Sequence, residues 1–96
     1  MIKVDLIYKM DQCIGLTMQG HANSADYGND LVCAAVSAIV TGGFNAFNDD
    51  DIEEIALDEG YAKVITKTEN GLIILKTIIV QLKTIESAYP KNIKIK

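Results

Sequence analysis

Two residues of the chain have side chains suited to covalent chemistry on a carbonyl group. His21 is the only histidine, and Cys33, one of two cysteines, follows it twelve positions later. A thiolate is a strong nucleophile, and an imidazole is well suited to accept the thiol proton near neutral pH. The pair therefore predicts nucleophilic catalysis by cysteine, provided that the fold brings the two side chains together.

The predicted position of Cys33 in a helix strengthens this interpretation. The sequence predicts a helix from about Leu31 to Phe47 that is opened by Asn29 or Asp30. If Asp30 is the N-cap, Cys33 lies in the first turn. That turn has unpaired backbone N–H groups and the positive end of the helix dipole. Such surroundings lower the pKa of a thiol from about 8.5 to about 3.5–7.5. The same N–H groups are candidates for stabilising an oxyanion.

These residues also have structural explanations. Cysteine is often a small buried hydrophobic residue, and the sequence neighbours of Cys33 are mostly apolar. Ser37 lies four positions after Cys33 and shares its helix face. Its hydroxyl can bond to the thiolate, to a substrate, or to the carbonyl four residues earlier in its own helix. The spacing alone leaves these alternatives open.

The stretch from Gly20 to Ser37, GHANSADYGNDLVCAAVS, resembles the signature of the ribosomal-processing cysteine protease family. The opening residues, MIKVDLIY, and the closing residues, AYPKNIKIK, are similar to the first and last strands of that family. The likeness covers almost the whole chain and is weakest over residues 44–70. It implies a cysteine endopeptidase that removes a short N-terminal extension from a protein of the large ribosomal subunit.

The resemblance gives each site residue an expected role. His21 is expected to be the general base of a Cys–His dyad and Cys33 its nucleophile, while the group that orients His21 is left open. Supporting or substrate-contacting roles are expected for four other residues: Gly20, Gly28, Asp30 and Ser37. The two glycines bound a predicted loop and are plausible hinges. The family likeness also implies a peptide substrate and a homodimer.

Composition limits the classes of partner. The 96 residues predict a single domain over residues 1–96, with 49% hydrophobic residues and a net charge of −4. An acidic chain does not favour a phosphate-binding surface, so direct nucleic-acid binding is not expected. No apolar run is long enough to span a membrane, and the N-terminus does not read as a secretory signal. With only two cysteines, the sequence predicts a cytoplasmic protein.

Two further features are assigned structural roles. Residues 48–51, NDDD, lack the spaced ligands and the glycine of a calcium loop and are predicted to be a solvated turn. Neither a metal nor another cofactor is expected. Cys13 has no histidine or helix start beside it in the sequence and is predicted to be structural. Strict alternation places it on the face opposite to Ile14, Leu16 and Met18.

Hydrophobic periodicity predicts the elements that position these residues. A second helix is predicted from Gly71 to Ala88, with Asn70 as its N-cap. Strands are predicted in five places, of which the third is also compatible with a short helix: residues 2–9, 14–19, 52–57, 61–67 and 93–95. The order β-β-α-β-β-α-β predicts an α+β two-layer sandwich, with two helices on one face of a mostly antiparallel sheet.

A second class of function fits the same residues. A non-catalytic ribosome-assembly or peptide-binding module would hold a peptide between the loop and the first helix, with Cys33 as an ordinary core residue. A redox sensor is less favoured, because Cys13 is not obviously placed as a resolving thiol. The reactivity of the Cys33 thiol distinguishes a nucleophile from a core residue.

Overall fold

The computed structural model describes residues 1–20 and 27–96, and for residues 27–30 it describes the backbone alone. Strands and helices follow one another in the predicted order. Their bounds are β1 (Ile2–Lys9), β2 (Gln12–Gln19), α1 (Tyr27–Phe44), β3 (Ile52–Asp58), β4 (Tyr61–Thr66), α2 (Glu69–Ala88) and β5 (Ile93–Ile95). A single turn of 3-10 helix, Asp49–Asp51, precedes β3.

The strands form one mixed sheet in the spatial order β3-β4-β2-β1-β5. All neighbouring pairs are antiparallel except β1 and β5, which are parallel because α2 carries the chain back across the sheet. The two helices pack on one face, which confirms the predicted α+β sandwich. Within residues 1–20 and 27–96, neither helix has the length and apolarity needed to cross a membrane. The core between the layers is made mainly of aliphatic side chains: Ile2, Val4, Leu16, Val32, Val36, Val40, Val64, Leu75, Ile78, Leu82 and Ile93.

A β-bulge in β2 changes the face on which Cys13 lies. The register between β1 and β2 shifts between Ile7 and Tyr8, so that Tyr8 pairs with Cys13 while Ile7 pairs with Gly15. Cys13 therefore packs against the buried core, and Ile14 lines a surface groove with Ile65. The prediction that Cys13 faces away from the core was wrong, because it assumed an unbroken alternation that a bulge interrupts.

A second bulge explains the ambiguous pattern of the third strand. The register between β3 and β4 shifts between Ile52 and Glu54, after which Ile55 pairs with Val64 and Leu57 with Ala62. The extra residue allows apolar side chains three positions apart to lie on the same face of a strand. Residues 52–58 form one of the two edge strands of the sheet, and β5 forms the other.

Helix α1 begins and ends earlier than predicted. It runs from Tyr27 to Phe44, so Gly28 and Asp30 are helical residues. Asp30 is therefore not the N-cap, and Gly28 does not belong to the preceding loop. Residues 21–26, which make up most of that predicted loop, lie outside the described part of the chain. Three turns of α1 bury Val32, Val36 and Val40, which are each 1% exposed.

Helix α2 begins two residues before the predicted start. Thr68 is the N-cap, and its hydroxyl accepts a hydrogen bond from the Gly71 N–H at 2.9 Å. Asn70, the predicted cap, instead donates its side-chain amide to Asp51. Asp51 is 4% exposed and hydrogen-bonded, so this residue of the NDDD turn is not solvated as predicted. A tertiary contact determines that Thr68 and not Asn70 caps the helix, because Asp51 also accepts a hydrogen bond from the Thr68 hydroxyl.

Candidate active site

A cleft of about 290 Å³ lies between helix α1 and the turn that joins β3 to β4. Cys33 and Ser37 line the wall formed by α1, and residues 57–60 line the opposite wall. Four apolar side chains of the core layer also line it: Ile2, Met18, Val36 and Val40. The cleft therefore combines a thiol and a hydroxyl with an apolar lining, a combination suited to holding a side chain of a peptide.

Cys33 and Ser37 lie on the same face of α1, one turn apart, as the sequence predicted. Cys33 is partly buried and packs against the core, whereas Ser37 is exposed. Both cysteines of the chain are thiols. A partly buried thiol that lines a cleft is accessible to a substrate while its position is fixed by packing.

Gly20 brings the end of β2 to the same cleft. Its φ is +102°, and a Cβ at this position would lie 2.5 Å from the carbonyl oxygen of Met1, so a larger residue would be both strained and obstructed. The Gly20 N–H donates a hydrogen bond of 3.0 Å to the carbonyl of Gly60, in the β3–β4 turn. Gly20 thus ties the chain before residue 21 to the wall opposite Cys33.

The structure brings three of the predicted site residues together at the cleft: Gly20, Cys33 and Ser37. Gly28 and Asp30 lie in the first turn of α1, and the side chain of Asp30 is not described. His21 lies outside the described residues. The pairing of Cys33 with His21 accordingly stays a prediction.

The place of Cys33 within α1 differs from the predicted one. Cys33 is the seventh residue of the helix and lies in its second turn. The influence of the helix dipole falls off within the first turn. The prediction that the helix start activates the thiol is therefore not supported. In the second turn the backbone N–H groups are engaged by carbonyls four residues earlier. The prediction that these N–H groups stabilise an oxyanion is therefore not supported either.

The β3–β4 turn is the part of the site that sequence reasoning missed. Leu57, Asp58 and Glu59 line the cleft opposite Cys33, although they lie more than twenty positions away in the sequence. The sequence identifies residues 58–60 only as a turn, and no local pattern indicates what the turn faces. Its position follows from the pairing of β4 with β2, which carries the turn to the end of β2 where Gly20 lies.

The charges on β3 differ between its two ends. Near its start, Glu54 pairs with Lys63 at 2.9 Å and Glu53 with Lys67 at 4.0 Å. The hydrogen bond that the Lys63 ammonium donates to Glu54 raises the pKa of Lys63 above its ordinary value. At the other end of the strand, the carboxylate of Asp58 accepts the backbone N–H of Glu59 at 2.8 Å. Asp58 and Glu59 are both exposed and line the cleft.

Comparison with known proteins gives consistent matches over this chain. A family model described as cysteine protease Prp matches residues 1–94. The ribosomal processing cysteine protease Prp of Mycoplasma genitalium is 43% identical over 83 residues, which cover 83% of this chain and 84% of that protein.

Two crystal structures of the essential ribosomal processing protease Prp from S. aureus are also similar. The complex with a substrate peptide has a TM-score of 0.85 at 30% identity, and the complex with a covalently linked product peptide has 0.83 at 31%. Each comparison covers 100% of this chain and 98% of the other.

These matches define the class of protein as a cysteine protease, a hydrolase of peptide bonds that attacks with a thiolate. The chain belongs to the cysteine protease Prp family. The resemblance found in the sequence is thereby confirmed, and the non-catalytic binding module is set aside as the principal function.

Proposed function

We propose that this chain is an endopeptidase that removes a short N-terminal extension from a large-subunit ribosomal protein, with Cys33 as the nucleophile and His21 as the general base. The observation that carries the proposal is the position of Cys33 on a cleft that Gly20 also lines. His21 follows Gly20 directly in the sequence. The names of the relatives, which are ribosomal processing proteases, support the class of substrate.

The proposed reaction has two covalent steps. His21 takes the Cys33 proton, and the thiolate sulfur forms a bond to the scissile carbonyl carbon, which becomes a tetrahedral oxyanion. This intermediate collapses to a thioester as the C–N bond breaks, and His21 returns the proton to the departing amine. Water then gives a proton to His21 as its oxygen attacks the thioester carbonyl carbon. The C–S bond breaks to release the new carboxyl group, and His21 returns the proton to the sulfur, which restores the thiol.

Supporting roles are proposed for the remaining site residues. The hydroxyl of Ser37 lies along the cleft one turn from Cys33, where it is suited to hydrogen-bond the thiolate or the substrate backbone. Asp30, in the first turn of α1, is a candidate to orient His21, since its carboxylate is not required as the helix cap. Gly20 and Gly28 are proposed to allow the backbone to approach the substrate closely.

We also propose that residues 1–96 act as one domain, that the protein works in the cytoplasm, and that it forms a homodimer. The family model supports the first of these, since it matches residues 1–94. A reducing compartment would keep the Cys33 thiol available for catalysis. The expected substrate is a peptide segment, and direct contact with nucleic acid is not part of the proposal.

The decisive experiment is mass spectrometry of the ribosomal protein from the same genome after incubation with the purified enzyme. We expect a single cut near the N-terminus, absent with the Cys33→Ser variant and retained with the matched control Cys13→Ser. An intact ribosomal protein, in the presence of folded enzyme with reduced thiols, would overturn the proposed substrate. Loss of cleavage in Cys13→Ser alone, with a native fold, would overturn the assigned nucleophile.

The role of His21 is tested by alkylation with iodoacetamide at mildly acidic pH. We expect Cys33 to be labelled faster than a small reference thiol in the native protein, and no faster than that thiol in His21→Ala. Equal labelling rates in the two proteins would contradict a Cys–His dyad. Mass mapping of the labelled peptide separates Cys33 from Cys13, which packs against the core.

A further inference from the structure

We propose that Gly60 is a positioning residue for catalysis, because its carbonyl holds the backbone of Gly20, the residue that precedes His21. This role rests on the proposed function, since it takes His21 to be the base that serves Cys33. The β3–β4 turn thereby acts on the site from outside residues 20–37, the stretch that carries the family signature.

Gly20 extends the pairing of β2 with β4 by one residue. Gln19 is the last residue of β2 and pairs with Tyr61, the first residue of β4. The next step along this ladder is the hydrogen bond of 3.0 Å that the Gly20 N–H donates to the Gly60 carbonyl. The bond fixes the backbone just beyond the end of the strand, where the chain continues to His21.

The backbone of Gly20 has a close neighbour on its other side as well. A Cβ at Gly20 would lie 2.5 Å from the carbonyl oxygen of Met1, so the chain before β1 passes directly beside this residue. Because β2 lies between β1 and β4 in the sheet, Met1 and Gly60 flank Gly20 from opposite sides. The position from which the chain leaves β2 is therefore fixed on both sides.

The turn that presents the Gly60 carbonyl needs a backbone conformation that favours glycine. Asp58 pairs with Tyr61, so Glu59 and Gly60 form a two-residue turn, in which the φ of Gly60 is +73°. The Asp58 carboxylate accepts the Glu59 N–H at 2.8 Å within the same turn. A β-branched residue at position 60 disfavours the positive φ, and a change of φ would move the carbonyl away from Gly20.

The first test compares two substitutions of similar size at Gly60. Valine disfavours a positive φ, whereas asparagine tolerates it, so the pair separates the backbone conformation from the added side chain. Gly60→Val should lower kcat for peptide cleavage by about two- to tenfold with little change in KM, the effect of one displaced hydrogen bond. Gly60→Asn should restore most of the lost kcat.

Met10→Val is the matched control for backbone strain. Met10 also has a positive φ, of 51°, and lies in the turn at the other end of β2. The substitution should lower the melting temperature without lowering kcat. If Met10→Val lowers kcat as much as Gly60→Val does, the loss comes from general destabilisation and the inference is overturned.

A double-variant cycle determines whether Gly60 acts through His21. The readout is the rate of Cys33 alkylation by iodoacetamide, followed from mildly acidic to mildly alkaline pH. With His21 present, Gly60→Val should slow alkylation at mildly acidic pH by about two- to tenfold. In the His21→Ala background it should change the rate by less than about twofold, because the residue that it positions is gone. Equal slowing in both backgrounds would contradict the positioning role.

An ester in the backbone removes the hydrogen-bond donor and leaves every side chain in place. Glycolic acid replaces Gly20 in a synthetic chain that is joined at Cys13 and Cys33, and kcat should fall by about two- to tenfold. The matched control is an ester at Leu6, whose N–H donates to the Lys96 carbonyl at 2.8 Å, and it should change kcat by less than about twofold. Native kcat with the ester at residue 20 would overturn the inference, even if Gly60→Val does not fold.

The cleavage and alkylation measurements separate this inference from the proposed function. Normal cleavage by Gly60→Val, with an unchanged alkylation profile, overturns the inference and leaves the protease assignment intact. An intact ribosomal protein, together with slowing of alkylation that requires His21, supports the positioning role and overturns the proposed substrate. Alkylation of Cys33 in the native protein no faster than that of a reference thiol overturns both.

Discussion

At the scale of single residues, the chemistry depends on side chains that successive turns of α1 present to one cleft. Cys33, Ser37 and Thr41 are each four positions apart, and all three line the cleft. Cys33 lies in the second turn of the helix, so the helix start contributes little to its reactivity. The proposed activation of the thiol therefore depends mainly on a neighbouring side chain, for which His21 is the proposed residue.

Ser37 and Thr41 provide a matched pair for testing contact with the reaction centre. Ser37→Ala removes the hydroxyl one turn from Cys33 and is expected to lower kcat/KM for peptide cleavage by about two- to tenfold, the effect of one hydrogen bond. Thr41→Ala removes a hydroxyl two turns away and should change it by less than twofold or so. Steady-state kinetics with both variants check this, and equal losses would contradict a specific role for Ser37.

At the scale of elements, Asp51 connects the 3-10 turn to the start of α2. Its carboxylate accepts the backbone N–H of Asn48 and the side-chain amide of Asn70, both at 2.9 Å. The Thr68 hydroxyl donates to the same carboxylate and accepts the Gly71 N–H. One buried carboxylate therefore organises the entry to β3 and the cap of α2 together.

The Asp51 network predicts a dependence of stability on pH. Hydrogen bonds lower the pKa of Asp51 below 3.8, first from the Thr68 hydroxyl, then from the Asn48 N–H and the Asn70 amide. A lowered pKa in the folded state contributes stability at pH above the unfolded value, and this stability is lost as pH falls through the folded value. Asp51→Asn should therefore melt several degrees below the native protein at neutral pH, and the gap should narrow below about pH 4.

Thermal melts from neutral to acidic pH check this prediction, with Asp50→Asn as the control. Asp50 is exposed and adjacent, and its substitution changes the net charge equally. The control should melt close to the native protein throughout. A gap between Asp51→Asn and the native protein that does not depend on pH would contradict the role of the ionised carboxylate.

The contact between the two helices is tested by adjacent glycines in α1. A Cβ at Gly43 would lie 2.5 Å from Cγ1 of Ile78 in α2, whereas a Cβ at Gly42 meets nothing within 4 Å. Gly42→Ala should stabilise the protein by about 0.5–1 kcal/mol through helix propensity. Gly43→Ala should destabilise it by up to about 2 kcal/mol, because overpacking exceeds that gain. Urea denaturation measures both, and equal stabilisation would contradict a tight contact between Gly43 and the Ile78 side chain.

At the scale of the whole molecule, the site is assembled from parts of the chain before residue 61. β1, the end of β2, α1 and the β3–β4 turn line the cleft, while α2 and β5 pack the other elements in place. The sheet order puts β4 between β3 and β2, and this pairing carries the turn of β3 and β4 to Gly20. Mutations in α2 should therefore affect the site through stability and not through direct contact.

The proposed homodimer is a prediction at this scale. The chain has a mass of 10.5 kDa, so light scattering coupled to size-exclusion chromatography should give about twice that value. The mass should fall towards that of one chain only on strong dilution, because association follows mass action. The mass of a single chain at every accessible concentration would contradict the homodimer.

Particular elements show where sequence reasoning succeeded and where it did not. The long apolar periodicities of β1, α1 and α2 predicted their existence and type, since a buried face leaves a direct pattern in the sequence. The two bulges and the capping of α2 were not predictable, because each depends on a partner far along the chain. Cys13 was placed on the wrong face for this reason, and Asn70 was assigned the cap that Thr68 provides.

The sequence by itself determined the family, the order of elements and the pairing of Cys33 with Ser37 on one helix face, because these depend on local spacing and composition. Only the tertiary structure decided that Cys33 lies in the second turn of α1, that Gly20 is hydrogen-bonded to Gly60, and that Asp58 and Glu59 line the same cleft as the thiol. Contacts of this kind arise from strand pairing and packing between distant segments, and no local pattern of residues encodes which segments will meet.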